Sequence, residues 1–227
     1  MSKILFRFLK RVCDMLVSMC LLLILSPVMV IIAVILYKKE GGPIIFRELR
    51  IGKDQRTYMM YVFRTTSKPT TVIRALPPHP FPDSWKKGVP HTFKFFRYDQ
   101  RIYTEIGSVL HKYKLYKLPL LWNVLKGDMS LIGPEPENPD VANYYNRYQM
   151  NRLIARPGII GYAQLHGLNN ITHRKKVEYD LYYVHNQSYL LDLKIAWAYL
   201  RIFMKKTVDS KKPKAVDLQV EDYKSSN

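Results

Sequence analysis

MLVSMCLLLILSPVMVIIAVILY, residues Met15 to Tyr37, contains no charged side chain. About 20 apolar residues suffice to cross the hydrocarbon of a bilayer as a helix. Near the middle of the run stands Ser26-Pro27. Proline offers no N–H and its ring clashes with the preceding turn, so a helix kinks there. Each half then rises about 16 Å, half the hydrocarbon thickness. A carbonyl freed at the kink needs a donor, and the Ser26 hydroxyl is the candidate. Basic residues flank both ends: Lys3, Arg7, Lys10 and Arg11 before the run, and Lys38, Lys39, Arg47 and Arg50 after it. The positive-inside rule cannot orient a spanning helix flanked in this way, and it is satisfied if both ends lie in the cytoplasm with the helix dipping in and returning. On these residues a re-entrant helix and a kinked spanning helix both stay open. A signal peptide does not fit, because no small-residue cleavage motif lies close to the run.

Outward from this stretch, the whole chain has 227 residues, the size of one domain with appendages. Hydrophobic residues make up 48%, which excludes wholesale disorder. Two cysteines exclude a disulfide framework. Cys13 and Cys20 are about 10 Å apart along a helix, beyond the roughly 7 Å that a disulfide tolerates, and are expected to be reduced, buried and structural. With 36 Lys+Arg against 18 Asp+Glu the formal charge is +18, which calls for a negatively charged partner. Nucleic acid is set aside, because no helix-turn-helix, zinc-finger or aromatic RNA-binding word appears. The basic residues cluster near the apolar run, where each gains about 1 kcal/mol from anionic headgroups.

Beyond the run, Gly41-Gly42-Pro43 signals a turn. Ile44–Arg47 and Tyr58–Phe63 suit two short strands of a hairpin around Ile51-Gly52-Lys53-Asp54. Residues 66–98, rich in Pro and aromatics, make an irregular loop that could face a partner. Helical spacing covers Ile102–Lys117, Asn138–Leu153, Lys175–His185 and Leu190–Met204, the last apolar nearly all round and suited to the bilayer interface or the core. Residues 207–227 are expected to form a flexible tail. The domain plan is therefore 1–40 as basic N-terminus and membrane helix, 41–206 as a cytoplasmic domain, and 207–227 as tail. The fold class is mainly α with a small β-hairpin.

Longer words recur in a fixed order: Lys10-Arg11 with Asp14, Ser26-Pro27, Gly41-Gly42-Pro43-Ile44-Ile45-Phe46-Arg47, Phe63-Arg64-Thr65, and the run from Leu121-Trp122-Asn123 through Gly127-Asp128-Met129-Ser130 to Gly133-Pro134. Arg156-Pro157-Gly158-Ile159-Ile160-Gly161 and Asp180-Leu181-Tyr182-Tyr183-Val184 follow. Over about residues 10–200 this series resembles the bacterial sugar transferases known as monotopic phosphoglycosyl transferases. The resemblance implies a monotopic protein on the cytoplasmic face of the bacterial inner membrane, held by a re-entrant helix broken at Ser26-Pro27 and by amphipathic interfacial helices. It also implies transfer of a sugar 1-phosphate from a nucleotide sugar to polyprenyl phosphate. In the family an Asp attacks the β-phosphate, a neighbouring Glu helps hold Mg²⁺, and basic side chains hold phosphates.

The family's word Leu-Asp-Glu-Leu-Pro reads Leu115-Tyr116-Lys117-Leu118-Pro119 in this chain. The nucleophile position is Tyr116 and the Mg²⁺-ligand position is Lys117. A phenol with an ordinary pKa near 10 is mostly protonated at pH 7, and an ammonium repels the metal. Three basic positions also depart: Val62 before Phe63-Arg64-Thr65, His111 beside the retained Lys112, and Glu135 within Gly133-Pro134-Glu135-Pro136. Five departures at chemistry positions, amid intact scaffold words, imply a degenerate site. No catalytic residue, metal ligand or cofactor is therefore expected. Glu105, Asp128, Glu135 and Glu137 are the carboxylates that a relocated site would draw on. Asp128 suits a turn or cap, and Glu135 and Glu137 are expected to point apart across Pro136. His166, His173 and His185 have no metal-ligand spacing. The expected partners are membrane lipid, polyprenyl phosphate, and an intact family member or a second copy. The Pro/aromatic loop and Tyr144, Tyr145 and Tyr148 are candidate contact surfaces. An active transferase with altered chemistry is the alternative.

Overall fold

A computed structural model of the chain describes residues 3–67, 85, 87–90, 103–166 and 171–208. The apolar run lies inside one long helix, α1 (Lys3–Glu40), with Pro27 within it. The expected break is a missing rung and not an interruption, since the residues on both sides of Pro27 stay helical. Pro27 takes the N–H that Leu23 O would accept, and Ser26 Oγ donates to that same oxygen at 2.8 Å. Satisfying the orphaned carbonyl locally is what lets a helix keep proline where no water is at hand.

Both ends of α1 dock on one domain. Near the start, Arg11 donates to Val124 O and Leu125 O, Ser130 Oγ donates to Asp14 at 2.6 Å, and Lys10 meets Asp192 at 2.6 Å. Near the end, Ile32 and Leu36 pack with Phe63 and Leu110, while Arg64 donates to Glu40 O and Gly41 O. Between these anchors Leu23 and Ile24 are each 70% exposed. A spanning helix would set its ends on opposite faces, about 30 Å apart, and drag this charged domain into hydrocarbon. The docking is that of a re-entrant, monotopic anchor. Cys13 and Cys20 are free but exposed on α1, not buried as expected. On this helix apolar surface is left for lipid instead of being covered by protein.

After a cis Gly42-Pro43 bond come β1 (Ile45–Ile51) and β2 (Thr57–Phe63), antiparallel with Ile45 opposite Phe63 and Ile51 opposite Thr57. The helix expected over Ile102–Lys117 is shorter. α2 (Glu105–Lys112) starts at Thr104, whose hydroxyl accepts from Gly107 N, and a left-handed Lys114 then turns the chain into a 3₁₀ turn, Leu115–Lys117. α3 (Leu120–Lys126) follows Pro119 and stops at Gly127, whose φ of 103° suits glycine. β3 (Ser130–Ile132) lies parallel to β4 (Gly158–Ile160), a pairing that the sequence patterns did not indicate.

The helix expected over Asn138–Leu153 is divided into α4 (Pro139–Ala142), α5 (Arg147–Met150) and a 3₁₀ turn, Asn151–Ile154. Asn138 and Asn146 cap the two short helices, and each cap restarts the chain direction. α6 (Tyr162–Leu165), α7 (His173–His185) and α8 (Tyr189–Val208) complete the order. α8 runs into the expected tail, and the rest of that tail lies outside the described residues, as does most of loop 66–98. Within that loop Trp85 and Val89 are buried against Val141, Tyr145 and Leu153, so they serve this chain's own core. Tyr145 is likewise core, Tyr144 packs against Trp85, and Tyr148 is exposed.

Candidate functional site

The 3₁₀ turn Leu115–Lys117 sits where β2, α2 and the α3 segment meet, and it brings the five departing positions into one neighbourhood. On the apolar side, the Tyr116 ring stacks on His111 with centroids 5.1 Å apart and planes 8° off parallel. The same ring packs against the cluster of Val62, Leu120, Val124 and Met129, and against that of Phe63 and Leu110. Val62 is therefore a core residue, and Tyr116 is its packing partner. On the polar side, Lys117 Nζ donates to Ile159 O of β4 at 3.4 Å. Its charge, with that of Lys176, acts on the Glu135 carboxylate. Burial alone raises that carboxyl's pKa, but Lys176 and Lys117 outweigh burial and hold it below the ordinary range.

Glu135, itself partly exposed, opens an ionic network that is buried at Glu137, Arg152 and Asp180. Glu135 and Glu137 do not point apart: Lys176 Nζ lies 3.4 Å from Glu135 and 3.1 Å from Glu137. Arg152, wholly buried, pairs with Glu137 and with Asp180, and donates to Glu135 O at 3.0 Å. Tyr145 donates its hydroxyl proton to Glu137 at 2.7 Å. Burial pushes Glu137 up, yet Lys176 and Arg152 hold it well below the usual carboxylate range. Asp180 goes the other way. Burial pushes it up to about 6 despite Arg152 and Lys176, and its Oδ1 has no hydrogen-bond partner among the described residues. Arg152 is raised well above the ordinary guanidinium range, with burial opposing and Tyr145, Asp180 and Glu137 prevailing.

Sequence patterns missed this network. Glu137 and Asp180 were visible as letters, but Arg152 and Lys176 carry no local signal, being hydrophilic residues in short or amphipathic helices. Of the remaining carboxylates, Asp128 accepts from Asn123 and pairs with Lys126, so it is a turn residue as expected. Glu105 lies in the first turn of α2.

Mg²⁺ binds hard oxygen ligands, chiefly carboxylates and water. The groups presented at the turn are a phenol, an imidazole and the Lys117 ammonium, and the nearest carboxylates are already engaged by Lys176 and Arg152. Among the described residues no three His, Cys, Asp or Glu side chains stand together to hold a metal. The donor set does not fit Mg²⁺.

A family profile described as bacterial sugar transferase matches residues 5–206. The chain belongs to the bacterial sugar transferase family. It is 33% identical over 205 residues to a UDP-N-acetylgalactosamine-undecaprenyl-phosphate N-acetylgalactosaminephosphotransferase of Aeromonas hydrophila, with 88% of this chain and 44% of the relative covered. It is 34% identical over 187 residues to the uncharacterized sugar transferase EpsL of Bacillus subtilis, covering 82% and 83% of the two chains. It is 33% identical to an undecaprenyl-phosphate galactose phosphotransferase of Salmonella typhimurium, covering 88% of this chain and 41% of that one. The chain thus spans less than half the length of two of these relatives and most of the third.

Proposed function

We propose that this chain is a catalytically degenerate member of its family. It acts as a structural or regulatory partner, of an intact family member or of a second copy, in the assembly of polyprenyl-linked polysaccharide. Its place is the cytoplasmic face of the bacterial inner membrane, held there by α1. The observation that carries this reading is the packing of Tyr116. At the position where the resemblance requires an exposed attacking carboxylate, an aromatic ring closes two apolar clusters and stacks on His111. A nucleophile needs an open line to phosphorus, and this half-buried ring is packed against both clusters and His111.

Electrostatics agree. Where the resemblance expects an acid at 117 and an Arg at 135, the chain has Lys117 and Glu135. The pair keeps opposite charges with exchanged signs, and the exchange suits internal pairing and repels both a metal and a phosphate. The transfer named for the Aeromonas and Salmonella relatives needs a negative attacker, a cation site and positive phosphate contacts, and in this chain all three positions are reversed or filled.

The purified chain, given nucleotide sugars, polyprenyl phosphate and Mg²⁺, is expected to release no nucleoside monophosphate. Turnover by the isolated chain that disappears in Tyr116→Phe overturns the reading. Purification from native membranes is expected to bring an intact family member with it, and recovery of the chain as a lone monomer opposes the partner role.

A further inference from the structure

The opening turns of α1 carry Arg7, Lys10 and Arg11, which face Lys53 and Arg156 across a cleft beside the β3–β4 pair. Asp14 is the acidic residue among the cleft's lining residues, and it is already used: Ser130 donates to it at 2.6 Å and Lys10 lies 3.8 Å away. Lys10 is also paired with Asp192. Lys53 reaches Asp54 at 3.3 Å. Among the described residues, Arg7, Arg11 and Arg156 have no carboxylate within ion-pair distance.

The two inner guanidinia are fixed in place. Arg11 donates through Nη1 to Val124 O at 2.6 Å and through Nη2 to Leu125 O at 2.9 Å, capping the end of α3. Arg156 donates through Nε to Gly127 O at 3.0 Å. Both guanidinia therefore meet at the end of α3, Arg11 through its fork and Arg156 through Nε. Burial lowers the pKa of Arg11, the charge of Arg156 lowers it further, and Asp14 and Asp128 oppose both. Two fixed, like charges beside each other are a ready-made receptor for an anion, and planar guanidinia suit phosphate oxygens above all. Among the described residues Nη1 and Nη2 of Arg156 make no hydrogen bond, so the fork is available. The cleft also has a definite height. Arg11 stands four residues before Met15, about 6 Å along α1. It therefore lies just outside the hydrocarbon, at the level of lipid headgroups.

We propose that this cleft is a binding site for a phosphate ester at the membrane surface, with Arg7 and Arg156 as its principal contacts and Arg11 and Lys53 supplying further positive charge. None of its lining residues is among the five departing positions, so the site stands whether or not the turn at Tyr116 has lost its chemistry.

The full chain is reconstituted in phosphatidylcholine nanodiscs doped with phosphatidylglycerol, and native mass spectrometry counts the phospholipid retained after release. Retained phosphatidylglycerol that falls about tenfold in Arg7→Gln/Arg156→Gln supports a lipid headgroup as the ligand. Arg7→Gln/Lys53→Gln leaves both carbonyl anchors of α3 intact. It is expected to lower retention several-fold, so the test survives if the first variant folds poorly. Inorganic phosphate is offered in a second arm. If phosphate binds and displaces the lipid adduct, with the same dependence on Arg7, the phosphate site stands with a soluble ester as its ligand. Absence of both adducts overturns the proposal. So does an equal loss in Arg201→Gln, which removes an exposed positive charge from α8 and tests for bulk attraction alone.

Discussion

Replacing Asp180 by Asn removes one acid from the ionic network and leaves the side chain's shape. Burial raises the folded pKa of Asp180 to about 6 from an ordinary 3.8. Between those values the folded chain holds a proton that the unfolded chain has released. The contribution of Asp180 to stability is therefore greatest below about pH 4. It falls as pH rises to about 6 and levels off above that. About two pKa units at 1.4 kcal/mol each make roughly 3 kcal/mol, with a slope of at most 1.4 kcal/mol per pH unit. Glu137, whose pKa is lowered, acts with the opposite sign, since its stabilisation is present above the ordinary carboxylate range and lost only at lower pH. Between pH 4.5 and 6.5 Asp14, which burial also raises, loses stability in the same direction, so it is the difference between wild type and Asp180→Asn that isolates Asp180. Urea unfolding of the detergent-solubilised protein, followed by tryptophan fluorescence, is expected to show the wild type losing stability across this window and Asp180→Asn losing much less. Parallel pH profiles for the two proteins would refute the reasoning, because they would mean that Arg152 fully offsets the cost of burying this charge.

Three further outcomes are expected. Gly107→Ala raises helix propensity in α2 yet places a Cβ 1.8 Å from Thr65 O, so it should cost about 3 kcal/mol in the same unfolding assay. Asn123→Ala strands Tyr61 N–H and Met59 C=O, to which the Asn123 side chain bonds at 3.0 and 2.7 Å. A loss of about 2–3 kcal/mol and faster hydrogen exchange at the Tyr61 amide follow. Tyr116→Asp/Lys117→Glu should release no nucleoside monophosphate, because Val62, His111 and Glu135 remain and a carboxylate replaces a ring packed between two apolar clusters. Strong turnover in that variant would make the other three departures irrelevant.

The long elements were legible because they are periodic. The apolar run declared α1, Ser26 was readable as the donor for the carbonyl that Pro27 orphans, and the strand pattern around Gly52 declared the hairpin. The misread elements share one cause, the override of pattern by single residues. Lys114 takes a left-handed backbone and ends what spacing alone would continue to Lys117. Asn138 and Asn146 turn a long helix candidate into two single-turn helices. The β3–β4 pair joins residues far apart in sequence over three positions each, too short for any period to register, and depends on the mutual approach of Gly133 and Gly158. At the site, the five departing positions could be found by their letters. Their grouping into an apolar half and an ionic half could not, because Arg152 and Lys176 arrive from other elements.

The clasp between α1 and α8 sets an order of events during synthesis. Lys10 and Asp192 are 182 positions apart, and Phe6 rests against Tyr189 at 4.9 Å. At typical elongation rates the ribosome needs on the order of 10–35 s to travel from one to the other. Throughout that interval the anchor is already made while its clasp to α8 does not exist. The inserted helix must therefore survive without that clasp, which closes as a late latch. A nascent chain stalled before α8 would reach the bilayer and still hold Arg11 on α3 and Asp14 on Ser130, but leave the turn around Phe6 swinging free.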